Sequence, residues 1–258
     1  MIPRQLWIFI KLAAILTIAA SFSFAQKTSV EQPAPEAIIR RFAERESEFH
    51  RRLRDHTFKR DIVVQSIAFG GQIAGEYRRI SRISFDLSGV QVEHVITAPI
   101  SRVLPTPEDI KDFATVQTFV IEPRKMGDYD FSYVGRERID ELEVYVFDVK
   151  PKVLRDHKLT KLAIKNKDRF FDGRIYIDTQ DFQLVKARGR GVPEGKQRYP
   201  MFETYREQMD GRYWFPSLTF ADDELIYQNG NIERVRLRIK FSDYELKDGK
   251  ASGQAAVK

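Results

Sequence analysis

Between Pro35 and Asp55 the apolar positions Ile38, Ile39, Phe42, Phe49 and Leu53 recur at helical spacing, which predicts an amphipathic helix. Its other face mixes Arg40, Arg41, Arg45, Arg51, Arg52 and Arg54 with Glu44, Glu46 and Glu48, and is assigned to solvent. From Thr57 onward the period changes to two. In the last such segment Val235, Leu237, Ile239 and Phe241 alternate with Arg234, Arg236, Arg238 and Lys240. One oily face and one basic face is the pattern of an antiparallel strand with one wet side. Strands are predicted over 57–69, 73–86, 90–98, 130–138, 142–150, 169–178, 182–191, 202–209, 212–221, 224–228 and 232–246. Between them stand the turn pairs Gly70-Gly71, Ser88-Gly89, Asp140-Glu141, Thr179-Gln180, Asp210-Gly211 and Asn229-Gly230. Connections this short imply antiparallel neighbours.

Two further segments interrupt the strands. Thr106 can cap a short helix with Pro107 at its first position and Glu108 and Asp109 at its positive end. Residues 152–168 form a basic insertion with room for a helical turn or two. The pattern describes a mainly β protein with some α (α+β), a single domain over 35–248. An N-terminal helix precedes a meander of about ten to eleven strands, and so many twisted strands curl into a partial or closed barrel.

The ends read differently. Arg4 and Lys11 precede the uninterrupted apolar run Leu12–Phe22, and Ser23 and Ala25 place small residues where a signal peptidase reads. Residues 1–25 are therefore expected to be a cleaved signal peptide, because the run falls well short of the ~20 residues that span a bilayer. Residues 26–34 are expected to be a flexible leader and 249–258 a disordered tail. The mature protein is expected in the periplasm.

Composition narrows the chemistry. The 258 residues contain 19 Phe and 10 Tyr, too many for a disordered chain, and no Cys. No disulfide, thiolate metal site, thiol nucleophile or Cys-linked lipid is possible. The net charge of +6 falls to +4 once Arg4 and Lys11 leave with the signal peptide. Residues 152–169 carry seven basic and two acidic side chains, and residues 186–198 five and one. The rest of the mature chain is thus net −5, and the basicity is local. Lys158, Lys161, Lys165, Lys167, Arg188 and Arg190 are candidates to contact an anionic membrane or an acidic partner. Export argues against nucleic acid.

No G-x-S-x-G elbow, P-loop, dinucleotide fingerprint or H-E-x-x-H pair is present. His50 and His56 stand six apart around a helix end, unable to share a metal from one face. Asp222, Asp223 and Glu224 are assigned to a solvated turn, and Gly189-Arg190-Gly191 carries no weight as a lone G-x-G. No catalytic residue, metal or cofactor is assigned, and the protein is read as no enzyme.

The order of elements carries a resemblance. The first strand starts Thr57-Phe58-Lys59-Arg60-Asp61, and Arg169–Asp178 runs through a tight turn into Phe182-Gln183-Leu184-Val185-Lys186. Glu203–Glu207 follows, then Tyr213-Trp214-Phe215-Pro216. Over roughly 35–246 this resembles the LolA/LolB-like superfamily of outer-membrane lipoprotein-sorting proteins, in its uncharacterised bacterial branch. The resemblance implies an unclosed antiparallel barrel whose concave face is covered by helices around a greasy cavity for acyl chains. Candidate lining residues are Phe42, Phe49, Phe171, Ile175, Ile177, Trp214, Phe220, Val235, Leu237, Ile239 and Phe241. It departs from that family in the basic 152–168 insertion and in lacking an arginine that can be matched to the carrier's cavity-closing one.

Two functions follow. The first is a non-catalytic periplasmic carrier for lipid or lipoprotein acyl chains, with the basic segments facing a membrane or an envelope protein. The alternative is an envelope-stress sensor or protein-interaction module on the same fold. A hydrolase with an unrecognised carboxylate pair ranks last.

Overall fold

A computed structural model describes residues 33–247, apart from 102, 104, 195, 196, 199, 210 and 228. The expected signal peptide, most of the leader, the tail and Asp210 lie outside the described residues. Helix α1 (Pro35–Leu53) starts with proline at its first position and buries Ile38, Phe42, Phe49 and Leu53. Strands β1 (His56–Ile67), β2 (Ile73–Phe85) and β3 (Gln91–Thr97) follow as a meander. Gly70 and Gly71 both take positive φ, +87° and +84°, as a tight hairpin turn requires.

After β3 the chain crosses to α2 (Pro107–Ala114) and α3 (Val116–Phe119), then through a 3-10 turn at Pro123–Asp128 into β4 (Tyr129–Ile139) and β5 (Leu142–Pro151). A second 3-10 turn, Lys152–Arg155, leads into α4 (His157–Asn166). Strands β6 (Phe170–Asp178), β7 (Leu184–Val192), the short β8 (Gln197–Arg198), β9 (Phe202–Met209), β10 (Tyr213–Tyr227) and β11 (Ile232–Leu246) complete the sheet. Its spatial order is β3-β2-β1-β11-β10-β9-β7-β6-β5-β4, each neighbouring pair antiparallel, with β8 paired to β10 off this path. Among the described residues β3 and β4 pair only on one side, so the barrel is open.

Ten strands laid flat would span roughly 45 Å at ~4.8 Å each, far wider than one helix. Yet residues of β2 (Tyr77, Ile83), β5 (Tyr145, Phe147) and α1 belong to one apolar cluster. The sheet therefore curls, and its inner face is covered by α1, α2 and α3. A smaller cluster of Val144, Val146 and Val185 occupies the outer face. No helix among the described residues is long and apolar enough to cross a membrane.

Two expectations are corrected. The segments 212–221 and 224–228 are one strand, so Asp222, Asp223 and Glu224 lie within β10 rather than in a turn. Asp222 accepts from Arg234 and Arg236 on β11 at 2.9 and 3.1 Å, and Asp223 accepts from the Met201 N–H at 2.8 Å. The ladder supplies partners for acids that would otherwise mark a break. Glu46, assigned to the wet face of α1, is fully buried. It falls in register with Ile38, Phe42, Phe49 and Leu53, and its charge is met from the sheet.

Candidate functional site

The inner face is not uniformly filled. At the end of the sheet marked by the β1–β2 and β10–β11 turns, a cavity of about 310 Å³ remains. Val64 of β1, Leu225 of β10 and Val235 and Leu237 of β11 form its floor, because alternation puts these positions on the inner face. Phe113 of α2 walls one side, and Val103 and Pro105 form a strap across the top. A Cβ at Gly75 would sit 2.7 Å from Val103 Cγ2, so glycine there lets the strap lie directly on β2. Ser101 Oγ donates to the Glu76 carbonyl at 2.5 Å and accepts from the Val103 N–H at 3.0 Å, which ties the strap down.

Two of the four polar side chains of the lining, Thr106 and Asp109, are already engaged with each other. Thr106 Oγ1 accepts from the Asp109 N–H at 3.2 Å, and the Asp109 carboxylate accepts from the Thr106 N–H at 2.8 Å. This is the capping box that starts α2. The remaining polar lining is Ser66 and Glu233, with no lysine or arginine. The cavity suits an uncharged, apolar chain, since an anion buried there would lack a compensating charge.

Of the eleven predicted lining residues, Val235 and Leu237 border this cavity. Phe42, Phe49, Phe171, Ile175, Ile177, Ile239 and Phe241 lie on the inner face but are packed against one another in the closed core. Trp214 and Phe220 are corrections, because both point to the outer face. Trp214 packs on the Val144–Val146–Val185 cluster and donates to Asp181 Oδ2 at 2.8 Å. Phe220, 40% exposed, stacks on Tyr205. Large aromatics fit either side of a twisted sheet, and composition does not choose between them.

The basic candidates also separate. Arg188 and Arg190 on β7 stand beside Glu203 (3.5 Å) and Glu194 (3.4 Å), so much of their charge is offset locally. Lys158, Lys161 and Lys165 on α4 are exposed and make no ion pair among the described residues, while Lys167 is the left-handed residue (φ +57°) that ends the helix.

Sequence reasoning missed two buried ion pairs that hold the covering helices. Glu46 of α1 accepts both terminal nitrogens of Arg206 on β9, at 2.7 and 3.0 Å, and the guanidinium lies 4.1 Å over the Phe49 ring. Asp112 of α2 accepts from Arg169 at 2.8 and 2.9 Å. Burial pushes the Asp112 carboxyl up, although Arg169 pulls the other way. The signal for the first pair was present, since Glu46 sits in the apolar register of its helix and Arg206 shares its strand face with Phe202 and Thr204.

The Gly189-x-Gly191 pair has a packing role as well. A Cβ at Gly189 would come within 2.5 Å of the Phe171 ring, and one at Gly191 within 2.7 Å of Arg169 Nη2. Both glycines make room for the neighbouring strand's large side chains. His50, between the Phe49 and Phe119 rings, has a buried Nε2 without a hydrogen-bond partner among the described residues. Desolvation, with the charges of Arg206 and Arg54, lowers its pKa to about 3, so it is neutral at ordinary pH.

No family model matches the chain, and no curated protein matches it. Solved structures of the LolA type align along most of its length. A LolA superfamily protein from Nitrosomonas europaea aligns at 14% identity over 84% of this chain and 95% of that one, with a TM-score of 0.38. A candidate outer membrane lipoprotein-sorting protein domain from Vibrio parahaemolyticus aligns at 10% identity over 83% and 94%, with a TM-score of 0.41. A chain of the MucA/MucB complex of Pseudomonas aeruginosa aligns at 11% identity over 78% and 94%, with a TM-score of 0.23. At these identities and scores the alignments carry no argument about function, which rests on the chain's own cavity and surface.

Proposed function

We propose that this protein is an exported, non-catalytic carrier that holds the end of an acyl chain in the strapped cavity between β1, β2, β10, β11 and α2. The observation that supports this reading is the cavity itself, about 310 Å³ with an apolar floor and roof. That is at the small end of the ~300–1,000 Å³ range of ligand pockets. Of its two acids and two hydroxyls, Asp109 and Thr106 are spent on capping α2, so neither of these is poised as a base or nucleophile. At ~30 Å³ per water-sized group the space accepts about ten carbons. Burying them is worth ~0.8 kcal/mol each, or about 8 kcal/mol in all. Association costs of ~4 kcal/mol or more leave about 4 kcal/mol at most, a millimolar affinity that suits a carrier that must also release.

Titration of the delipidated protein with alkyl carboxylates of increasing length tests this, with displacement of a fluorescent acyl probe as the readout. Affinity should climb with chain length to about ten carbons and then level off. Ala74→Phe, at the exposed rim of the cavity, should weaken binding at unchanged melting temperature. Affinity without dependence on chain length, or no binding at all, refutes the reading.

A further inference from the structure

The insertion between β5 and β6 places apolar and basic side chains together on a projecting helix. Only Ala163 of α4 is buried, while Leu159 and Leu162 are 50% and 51% exposed. Leu154, 40% exposed, lies on the 3-10 turn beneath, to which α4 is tied by the Thr160 hydroxyl donating to the Val153 carbonyl at 2.8 Å. On a helix, residues three and four apart are neighbours, so Leu162 is flanked by Lys158 and Lys165, and Lys161 stands between those two. The one acid of the helix start, Asp156, is engaged as its N-cap, accepting from the Lys158 and Leu159 N–H groups.

We infer that α4 is the surface by which this protein sits on an anionic lipid bilayer. Leu159 and Leu162 enter the interface and the lysines reach the headgroup charges. Long lysine stems beside half-exposed leucines are the arrangement of an interfacial helix. The leucines stand on a convex helix rather than in a groove, and a bilayer, unlike a folded partner, needs no matching pocket. Three lysines that make no ion pair among the described residues supply the charge complementarity.

Placement connects this surface to the cavity. One helix, α2, gives Asp109 and Phe113 to the cavity lining. The same helix gives Asp112 to Arg169 and the Lys111 ammonium to the Lys167 carbonyl at the base of α4. Docking through α4 therefore brings the strapped end of the barrel to the lipid, where a chain would enter or leave. This deepens the carrier reading and rests on it only for its purpose, because the lipid contact can be measured alone.

The test is co-sedimentation of the purified protein with phosphatidylcholine vesicles, with and without phosphatidylglycerol, at low and high salt. Binding should require the anionic lipid and weaken with salt. Lys158→Gln/Lys161→Gln/Lys165→Gln should lower partitioning on the order of a hundredfold. Leu159→Ser/Leu162→Ser should lower it too, with an unchanged melting temperature, since these side chains are half exposed. Equal binding to both vesicle types overturns the inference, and so do variants that bind like the parent. Capture of an acidic protein by α4 with no vesicle binding also overturns it. Acyl-probe affinity of the same variants, measured in solution, separates the two readings. Lost vesicle binding with intact probe affinity is expected of the α4 variants, whereas a parent that binds vesicles but no probe loses the carrier role alone.

Discussion

Replacing Glu46 by alanine should cost this protein a large part of its stability. Both side chains of the Glu46–Arg206 pair are 1% exposed, and the two hydrogen bonds, 2.7 and 3.0 Å, share one carboxylate. Among the described residues the guanidinium without Glu46 keeps only the Phe49 ring and a 3.4 Å contact to the Phe119 carbonyl, and its Nε has no partner there even in the parent. Removing one member of a buried pair costs about 3–5 kcal/mol, against about 5–15 kcal/mol of total stability. For a domain of this size that is a fall of about 6–20 °C in melting temperature. Circular dichroism melts and urea midpoints read it directly. The double variant Glu46→Met/Arg206→Met should recover most of the loss, because two apolar side chains remove the stranded charge. A loss below about 1 kcal/mol in Glu46→Ala, or a double variant as unstable as the sum of the single ones, would refute the view that this pair fastens α1 to the sheet.

His50 makes the fold acid-sensitive. Its pKa is about 3 in the folded protein against about 6.5 unfolded, so the unfolded chain binds the extra proton between those values. Stability should fall as pH drops below about 6.5, by about 2 kcal/mol at pH 5 from this group, and His50→Phe should flatten that slope in pH-dependent urea melts. A parallel slope in the variant would show that other groups carry it. Gly189→Ala forces a Cβ to within 2.4 Å of the Asp172 carbonyl and 2.5 Å of the Phe171 ring, and should destabilise by about 1–3 kcal/mol in the same assay. Asp112→Ala removes the two hydrogen bonds by which α2 holds Arg169. It should loosen α2, seen as faster amide exchange over Pro107–Ala114, and weaken acyl-probe binding because α2 walls the cavity.

What the sequence determined by itself is most of the elements and, where the alternation is regular, their faces. Val235, Leu237, Ile239 and Phe241 face inward as their alternation requires, and Thr106 caps α2 with Pro107 behind it. These are local facts, since period and capping act within a few residues. Tertiary structure decided which inward residues meet each other and which leave a space. Glu46 and Arg206 are 160 residues apart, so nothing local distinguishes a charge awaiting a partner from one facing water. Trp214 and Phe220 went outward because the curled sheet has apolar and aromatic partners on that side too. The cavity exists because the strap residue Val103 rests on Gly75 instead of filling the space above Val64 and Leu237. Packing between distant segments sets that gap, and no pattern along the chain contains it.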